Sequence, residues 1–157
     1  MKILYICTHN RCRSILSEAI THYYGGDLLE AKSAGSQPAG RVHPLSVKYL
    51  QQVGIPTDNL QSQSWDDMSS FAPDVVITVC DHAAQESCPV WFGNALQVHW
   101  GLTDPSKLEG DETIIEEAFL QTIQTIQERV TVLKQIAMLN QANWQDALQR
   151  CGARIKS

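Results

Sequence analysis

The sequence predicts an α/β fold, a single domain built on a parallel four-stranded sheet flanked by helices. Short β-rich apolar runs alternate with longer segments whose apolar residues recur at helical spacing, and such alternation builds parallel sheets through right-handed crossovers. The run Asp74-Val75-Val76-Ile77-Thr78-Val79 is almost continuously apolar and β-branched, as suits a strand buried on both faces. A length of 157 residues with 43% hydrophobic content provides for one core and not for two.

Taken in order, Ile3-Leu4-Tyr5-Ile6 reads as the first strand. Thr8 to Ser14 is polar and forms a loop, and Ile15, Leu16, Ala19 and Ile20 then mark the apolar stripe of a helix. Gly25-Gly26 ends that helix, because glycine readily takes the left-handed conformation of a C-terminal cap. Residues 30–34 form a second strand closed by Gly35. His43-Pro44 opens a helix whose apolar face is Leu45, Val47, Leu50 and Val53, with Gly54 and Pro56 ending it. Residues 74–79 are the third strand, which delivers Cys80 at its C-terminal end, and residues 95–100 the fourth. From 111 to 139 the positions Ile114, Ile115, Ala118, Phe119, Ile123, Ile126, Val130, Leu133 and Ile136 keep helical spacing, so a long helix packs back on the sheet. Residues 1–139 make the domain, and 140–157 a C-terminal extension with a short helix and a frayed tail.

Composition excludes several function classes. Twelve basic and 17 acidic residues leave a net charge of −5, with no basic run to follow a nucleic-acid backbone, so nucleic acid is not an expected partner. No stretch reaches the roughly 18 apolar residues of a membrane span, and the N-terminal apolar run is too short for a signal segment. A cytoplasmic monomer is expected. Five cysteines is an odd number, and a reducing compartment keeps thiols free unless chemistry oxidises them. No Cys-x-x-Cys pair occurs, and Cys80, His82 and Cys88 match no usual zinc spacing, so neither a bound metal nor another bound cofactor is expected.

The chemistry concentrates in Cys7-Thr8-His9-Asn10-Arg11-Cys12-Arg13-Ser14, which places cysteine, five residues, arginine and serine between a strand and a helix. A loop that curls into a helix N-terminus collects backbone N–H groups and the positive end of the helix dipole, a ready site for an anion. The planar Arg13 guanidinium matches two oxygens of a tetrahedral oxyanion at once. The same field favours a thiolate at Cys7, with a pKa below the free value of about 8.5. Ser14 is positioned to donate to that sulfur and Asn10 to hold the loop, while His9 and Arg11 add positive potential. Strand-end rules place Cys7, Cys80 and Asp104 on one rim of the sheet.

With Ile15-Leu16-Ser17-Glu18-Ala19 following it, this loop resembles that of the low-molecular-weight protein tyrosine phosphatases and their arsenate reductase branch. The resemblance covers roughly residues 1–135. It also includes Ser33-Ala34-Gly35, His43-Pro44, Val53-Gly54-Ile55, Cys80 with Cys88-Pro89, and His99-Trp100-Gly101 with Asp104-Pro105. It implies the three-layer, flavodoxin-like arrangement of that family, with Cys7 as nucleophile and Asp104 as the acid that protonates the departing oxygen.

The two branches part after the first step. A phosphatase hydrolyses its cysteinyl-phosphate with water, whereas a reductase must supply two electrons from thiols that can reach Cys7. Carried over from the thioredoxin-coupled reductases, the resolving cysteine is Cys80 and the relay Cys88, with thioredoxin or glutathione and glutaredoxin returning the electrons. Arsenate is then the substrate, and phosphate and sulfate are competing oxyanions. The phosphatases usually carry aromatic residues directly after Asp-Pro, and here Ser106-Lys107-Leu108 follows, which favours a small inorganic oxyanion. A bare switch disulfide between Cys7 and Cys80 would leave Asp104 without a purpose. Cys12 can trap Cys7 in a protective disulfide, and Cys151 is a bystander. Some members hold potassium through residues matching Asn10, Glu18 and Ser33, but the carboxylate of that set is Gln63 here.

Overall fold

The protein is described by a computed structural model over residues 1–80 and 95–155, with side chains as far as residue 150. The central strand β1, Lys2–Ile6, is flanked by β2, Glu30–Ala34, and by β3, Val75–Thr78, with β4, Leu96–His99, outside β3. All pairings are parallel, and Tyr5 stands between Ser33 and Ile77. Ile3, Leu4, Tyr5 and Ile6 are buried, as a central strand covered on both faces requires. From β1 the chain moves outward one way to β2 and then returns to the other side for β3. That reversal opens a crevice at the carboxyl ends of β1 and β3. Cys7 and Cys80 lie just past those two ends.

Helix α1, Arg13–Gly25, lies against β1, β2 and the long helix α3, Glu112–Ala137. Its expected stripe of Ile15, Leu16, Ala19 and Ile20 is buried, but so are Ser14, Ser17, Glu18 and Thr21. A helix buried nearly all round must satisfy its polar side chains internally, and Thr21 does so by sharing a 2.7 Å hydrogen bond with the Tyr5 hydroxyl. Helix α2, Pro44–Gln52, begins with proline at its first turn, and its His43 cap accepts from the Leu45 N–H at 3.1 Å. Its buried face is Ser46, Tyr49 and Leu50, with Val53 exposed, so the stripe through Val47 and Val53 read from the sequence is corrected. Tyr49 turns inward because its ring packs on Phe119 of α3 at a centroid distance of 5.0 Å.

Asp111 caps α3 by accepting from the Ile114 N–H at 3.0 Å, and the buried stripe runs from Phe119 to Ile136. Ile114 is exposed, so the first turn of α3 stands off the core. Two features were not expected from periodicity: a 3-10 helix at Trp65–Phe71, capped by Ser64, and another at Pro105–Lys107. Helix α4, Trp144–Ile155, packs on α3 and β4 and buries Trp144 and Leu148 in the core cluster. No helix among the described residues is long and apolar enough to cross a membrane.

Leu148 is 3% exposed, so Leu148→Ala is expected to cost about 2–4 kcal/mol through lost contacts and the cavity left behind. Urea unfolding followed by circular dichroism should still show one transition at a lower midpoint. A separate early transition would mean that α4 unfolds independently of the sheet.

Candidate active site

The loop from Cys7 to Arg13 is fixed by its own carbonyl groups. The Thr8, His9 and Arg11 carbonyls accept from the backbone N–H groups of Gln37, Ala39 and His43, each at 2.9 Å, which zips the loop to the segment after β2. Gly35 makes this approach possible. A Cβ there would lie 2.5 Å from the Cys7 carbonyl oxygen and closer still to that of Thr8. Asn10 adopts a left-handed backbone with φ 46°, which asparagine tolerates better than most residues. Its buried side chain donates to Ser14 at 2.8 Å and Ser33 at 3.0 Å, and accepts from the Gln63 N–H at 2.9 Å.

The loop leads into α1, whose N-cap residue Cys12 makes no side-chain capping bond and whose first turn carries no acid. The positive end of the helix therefore meets a cavity of about 670 Å³. Cys7, Thr8, His9, Arg11, Cys12, Arg13, Gln37, Cys80, Asp104 and Lys107 line it. Arg13 donates to the Leu102 carbonyl at 2.9 Å and lies 3.6 Å from Asp104. Its Nε is buried without a hydrogen-bond partner among the described residues.

Cys7 and Cys80 are both buried, reduced cysteines that line one cavity. The neighbouring Cys80 thiol and burial push the Cys7 pKa up, and Arg13 only partly opposes them. Expecting the loop alone to depress this pKa missed the second sulfur and the burial. Thr8 Oγ1 lies 3.8 Å from the Cys80 sulfur. Burial pushes Cys12 up to about 11, against an opposing hydrogen bond from Ser46.

Asp104 is partly buried, which by itself raises its pKa. Hydrogen bonds from the Ser106 hydroxyl at 2.6 Å and N–H at 2.9 Å, with Arg13 and Lys107, outweigh burial and leave the carboxyl below its ordinary value. It is ionised at rest.

Of the residues singled out in the sequence, Cys7, Arg13, Asp104 and Cys80 come together in the cavity, with Thr8, His9, Arg11 and Cys12 beside them. The side chains of Asn10 and Ser14 do not line it. Both are fully buried behind the loop, and Ser14 is engaged by Asn10 with no bond to the Cys7 sulfur among the described residues, which corrects its expected contact. Cys88 lies outside the described residues. Gln37 and Lys107 were missed as cavity residues. The signal for Lys107 was its place three residues after Asp104, while Gln37 arrives by backbone pairing that no side-chain pattern encodes.

Buried Asn10, Glu18 and Ser33 form one cluster with half-buried Gln63. Ser33 donates to Glu18 at 2.7 Å, and the Gln63 amide donates to the Ser33 carbonyl at 3.0 Å. These atoms satisfy one another, and Asn10 turns donor N–H groups toward Ser33, so the set does not fit a cation that needs oxygen ligands. Among the described residues no group of three or more His, Cys, Asp or Glu could hold a metal ion.

The family model for low molecular weight phosphotyrosine protein phosphatases matches residues 2–144. The chain belongs to that family. Within this phosphatase family it is similar to an arsenate reductase of Halalkalibacterium halodurans, 38% identical over 110 residues that span 70% of this chain and 78% of the relative. Among solved structures it resembles an arsenate reductase in a phosphate binding state, with a TM-score of 0.71, 26% identity, and coverage of 85% of this chain and 95% of that one. It also resembles a thioredoxin-dependent arsenate reductase of Corynebacterium glutamicum, with a TM-score of 0.65, 29% identity, and coverage of 87% of this chain and 61% of that one.

Gly35→Ala tests the loop directly. The added methyl would meet backbone oxygens that cannot yield as a side chain would, so the variant is expected to lose about 2 kcal/mol or more of stability. It should also lose most phosphate binding, read by calorimetry on the folded fraction.

Proposed function

We propose that the protein is an arsenate reductase that reduces arsenate to arsenite through Cys7, Cys80 and Cys88, with reducing equivalents from thioredoxin. The observation that carries this is that two buried thiols, Cys7 and Cys80, line one cavity with Arg13 and Asp104. A phosphatase needs only the first of these thiols. The similarity to arsenate reductases, one of them thioredoxin-dependent, supports the same conclusion.

Arsenate binds at the N-terminus of α1, where Arg13, with a buried donor to spare, offers charge-assisted hydrogen bonds. A dianion brought beside Asp104 raises the pKa of that carboxyl. Asp104 takes up the proton released by Cys7 and delivers it to the departing oxygen. Cys7 sulfur bonds to arsenic as that oxygen leaves as water. The Cys80 thiolate then attacks the Cys7 sulfur; the sulfur–arsenic electron pair stays with arsenic, which leaves as arsenite, and a Cys7–Cys80 disulfide remains. Cys88 attacks Cys80 in turn, freeing Cys7, and an external dithiol reduces the resulting Cys80–Cys88 bond. Two thiols are oxidised for each arsenate reduced, as the electron count requires. The reducing cytoplasm is the compartment in which this cycle can reset.

With thioredoxin, thioredoxin reductase and NADPH, arsenate is expected to drive steady NADPH oxidation, and Cys7→Ser and Cys80→Ser should each lower it by at least about 10³-fold. In Cys88→Ser, one arsenite per chain should form and a Cys7–Cys80 disulfide should accumulate by mass spectrometry. Full turnover in Cys80→Ser together with brisk aryl phosphate hydrolysis would establish a phosphatase instead.

Ser106→Ala removes the 2.6 Å bond that helps hold Asp104 ionised, so the Asp104 pKa should rise. Because Asp104 must be ionised in the free enzyme to take the proton of Cys7, activity then begins to fall at a higher pH on the acid side. The acid limb of the kcat/KM profile should shift upward, and an unshifted acid limb would remove Asp104 from the proton transfer.

A further inference from the structure

We propose that Lys107 is a substrate-binding residue, which pairs with the charge of the bound tetrahedral oxyanion on the acid's side of the cavity and so favours anionic arsenate over uncharged arsenite. This assignment rests on the function proposed above.

Lys107 closes the 3-10 helix Pro105–Lys107, for which Asp104 is the cap. Asp104 accepts from both the N–H and the hydroxyl of Ser106, and the Lys107 N–H reaches the Asp104 carbonyl at 3.4 Å. The acid and the lysine are thus carried on one tight turn, so a loop that brings Asp104 to the reacting oxygen brings Lys107 with it. Lys107 lines the cavity together with Cys7, Cys80, Arg13 and Asp104. Its charge also contributes to keeping the Asp104 carboxyl ionised.

Charge balance gives the lysine its purpose. The nearest cation to Asp104 is Arg13, 3.6 Å away, so part of the Arg13 charge is already answered by the acid. A dianion entering beside an ionised carboxylate needs more positive charge than that divided guanidinium provides. Arg11 supplies some from the loop side, and Lys107 is the lysine on the side of the acid. Among the described residues the ion pairs are Arg13–Asp104 and Lys48–Glu112, and Lys107 belongs to neither. Lys107 is solvent-exposed, which lets the ammonium stay hydrated until the oxyanion arrives. Reduction turns an anion into arsenite, which is uncharged at neutral pH. The same pairing that draws the substrate in therefore does not retain the product.

The test uses the full chain and needs no turnover. Calorimetric titration with inorganic phosphate and with sulfate should show binding to Lys107→Gln about ten-fold weaker than to the wild type, with Lys107→Arg recovering most of the loss. Lys48→Gln, which removes a lysine away from the cavity, should bind as the wild type does. In steady-state assays Lys107→Gln should raise KM for arsenate by a similar factor at nearly constant kcat, and inhibition by arsenite should not change. Wild-type phosphate binding in Lys107→Gln, or equal weakening in Lys107→Arg and Lys107→Gln, would overturn the assignment. If the wild type binds phosphate but does not reduce arsenate, the reductase function fails, and the phosphate titrations alone decide the lysine's role as an oxyanion ligand.

Discussion

Asn10 holds its backbone left-handed at φ 46° while its side chain satisfies three groups: Ser14 on α1, Ser33 on β2 and the Gln63 backbone. Such a conformation costs about 1–3 kcal/mol and persists only where its surroundings over-determine it. Here they do. The reversal at Asn10 lets the chain leave β1, turn its carbonyls toward the segment after β2, and enter α1 with the helix N-terminus facing the cavity. Gly35 permits the approach from one side, and the buried Ser33–Glu18 pair anchors the bond network from beneath. Burial raises the Glu18 pKa, while the Ser33 hydrogen bond and the positive charges of His22 and Lys32 oppose that rise.

The opposite wall of the cavity depends on a second chain of contacts. Arg129 of α3 donates to the Trp100 carbonyl at 2.9 Å and lies over the Trp100 ring, 5.5 Å from its centroid. The Trp100 ring packs against Tyr5 of β1. Two residues on, the Leu102 N–H bonds the Val79 carbonyl at 3.2 Å, and the Leu102 carbonyl accepts from Arg13. The long helix thereby fixes where β4 ends, and that end fixes both the orientation of Arg13 and the start of the turn that carries Asp104. Substitutions at Arg129 would therefore act on the oxyanion site from a distance, through backbone placement.

β1 and β3 were legible in the sequence as short apolar runs, and α1 and α3 because their apolar residues keep a helical period. Cys7, Arg13, Cys80 and Asp104 were legible for a related reason: parallel strands deliver their C-terminal ends to one rim. What stayed hidden depended on three-dimensional pairing. The burial of the polar residues of α1 depends on Ser33, Asn10 and Tyr5 as their partners, which no helical period encodes. The inward turn of Tyr49 needed Phe119, 70 positions later in the numbering. The pKa of Cys7 could not be inferred from its loop alone, because the largest influence on it comes from Cys80, on another strand end.

The placement of Cys7 and Cys80 in one cavity also constrains the order of events proposed for the reaction. Two thiols sharing a site can oxidise to a disulfide before substrate arrives, which would waste the nucleophile. A raised Cys7 pKa slows this, since the thiolate is the attacking species. An oxyanion near Arg13 changes the balance by placing an electrophilic centre next to the sulfur and a proton acceptor, Asp104, within the same cavity. Once Cys7 is bonded to arsenic, only one of the pair still holds a proton, and Cys80 can then ionise without a neighbouring thiolate to repel it. The neighbour that restrains Cys7 in the free enzyme thus becomes, after the first step, the thiol placed in the same cavity to attack it.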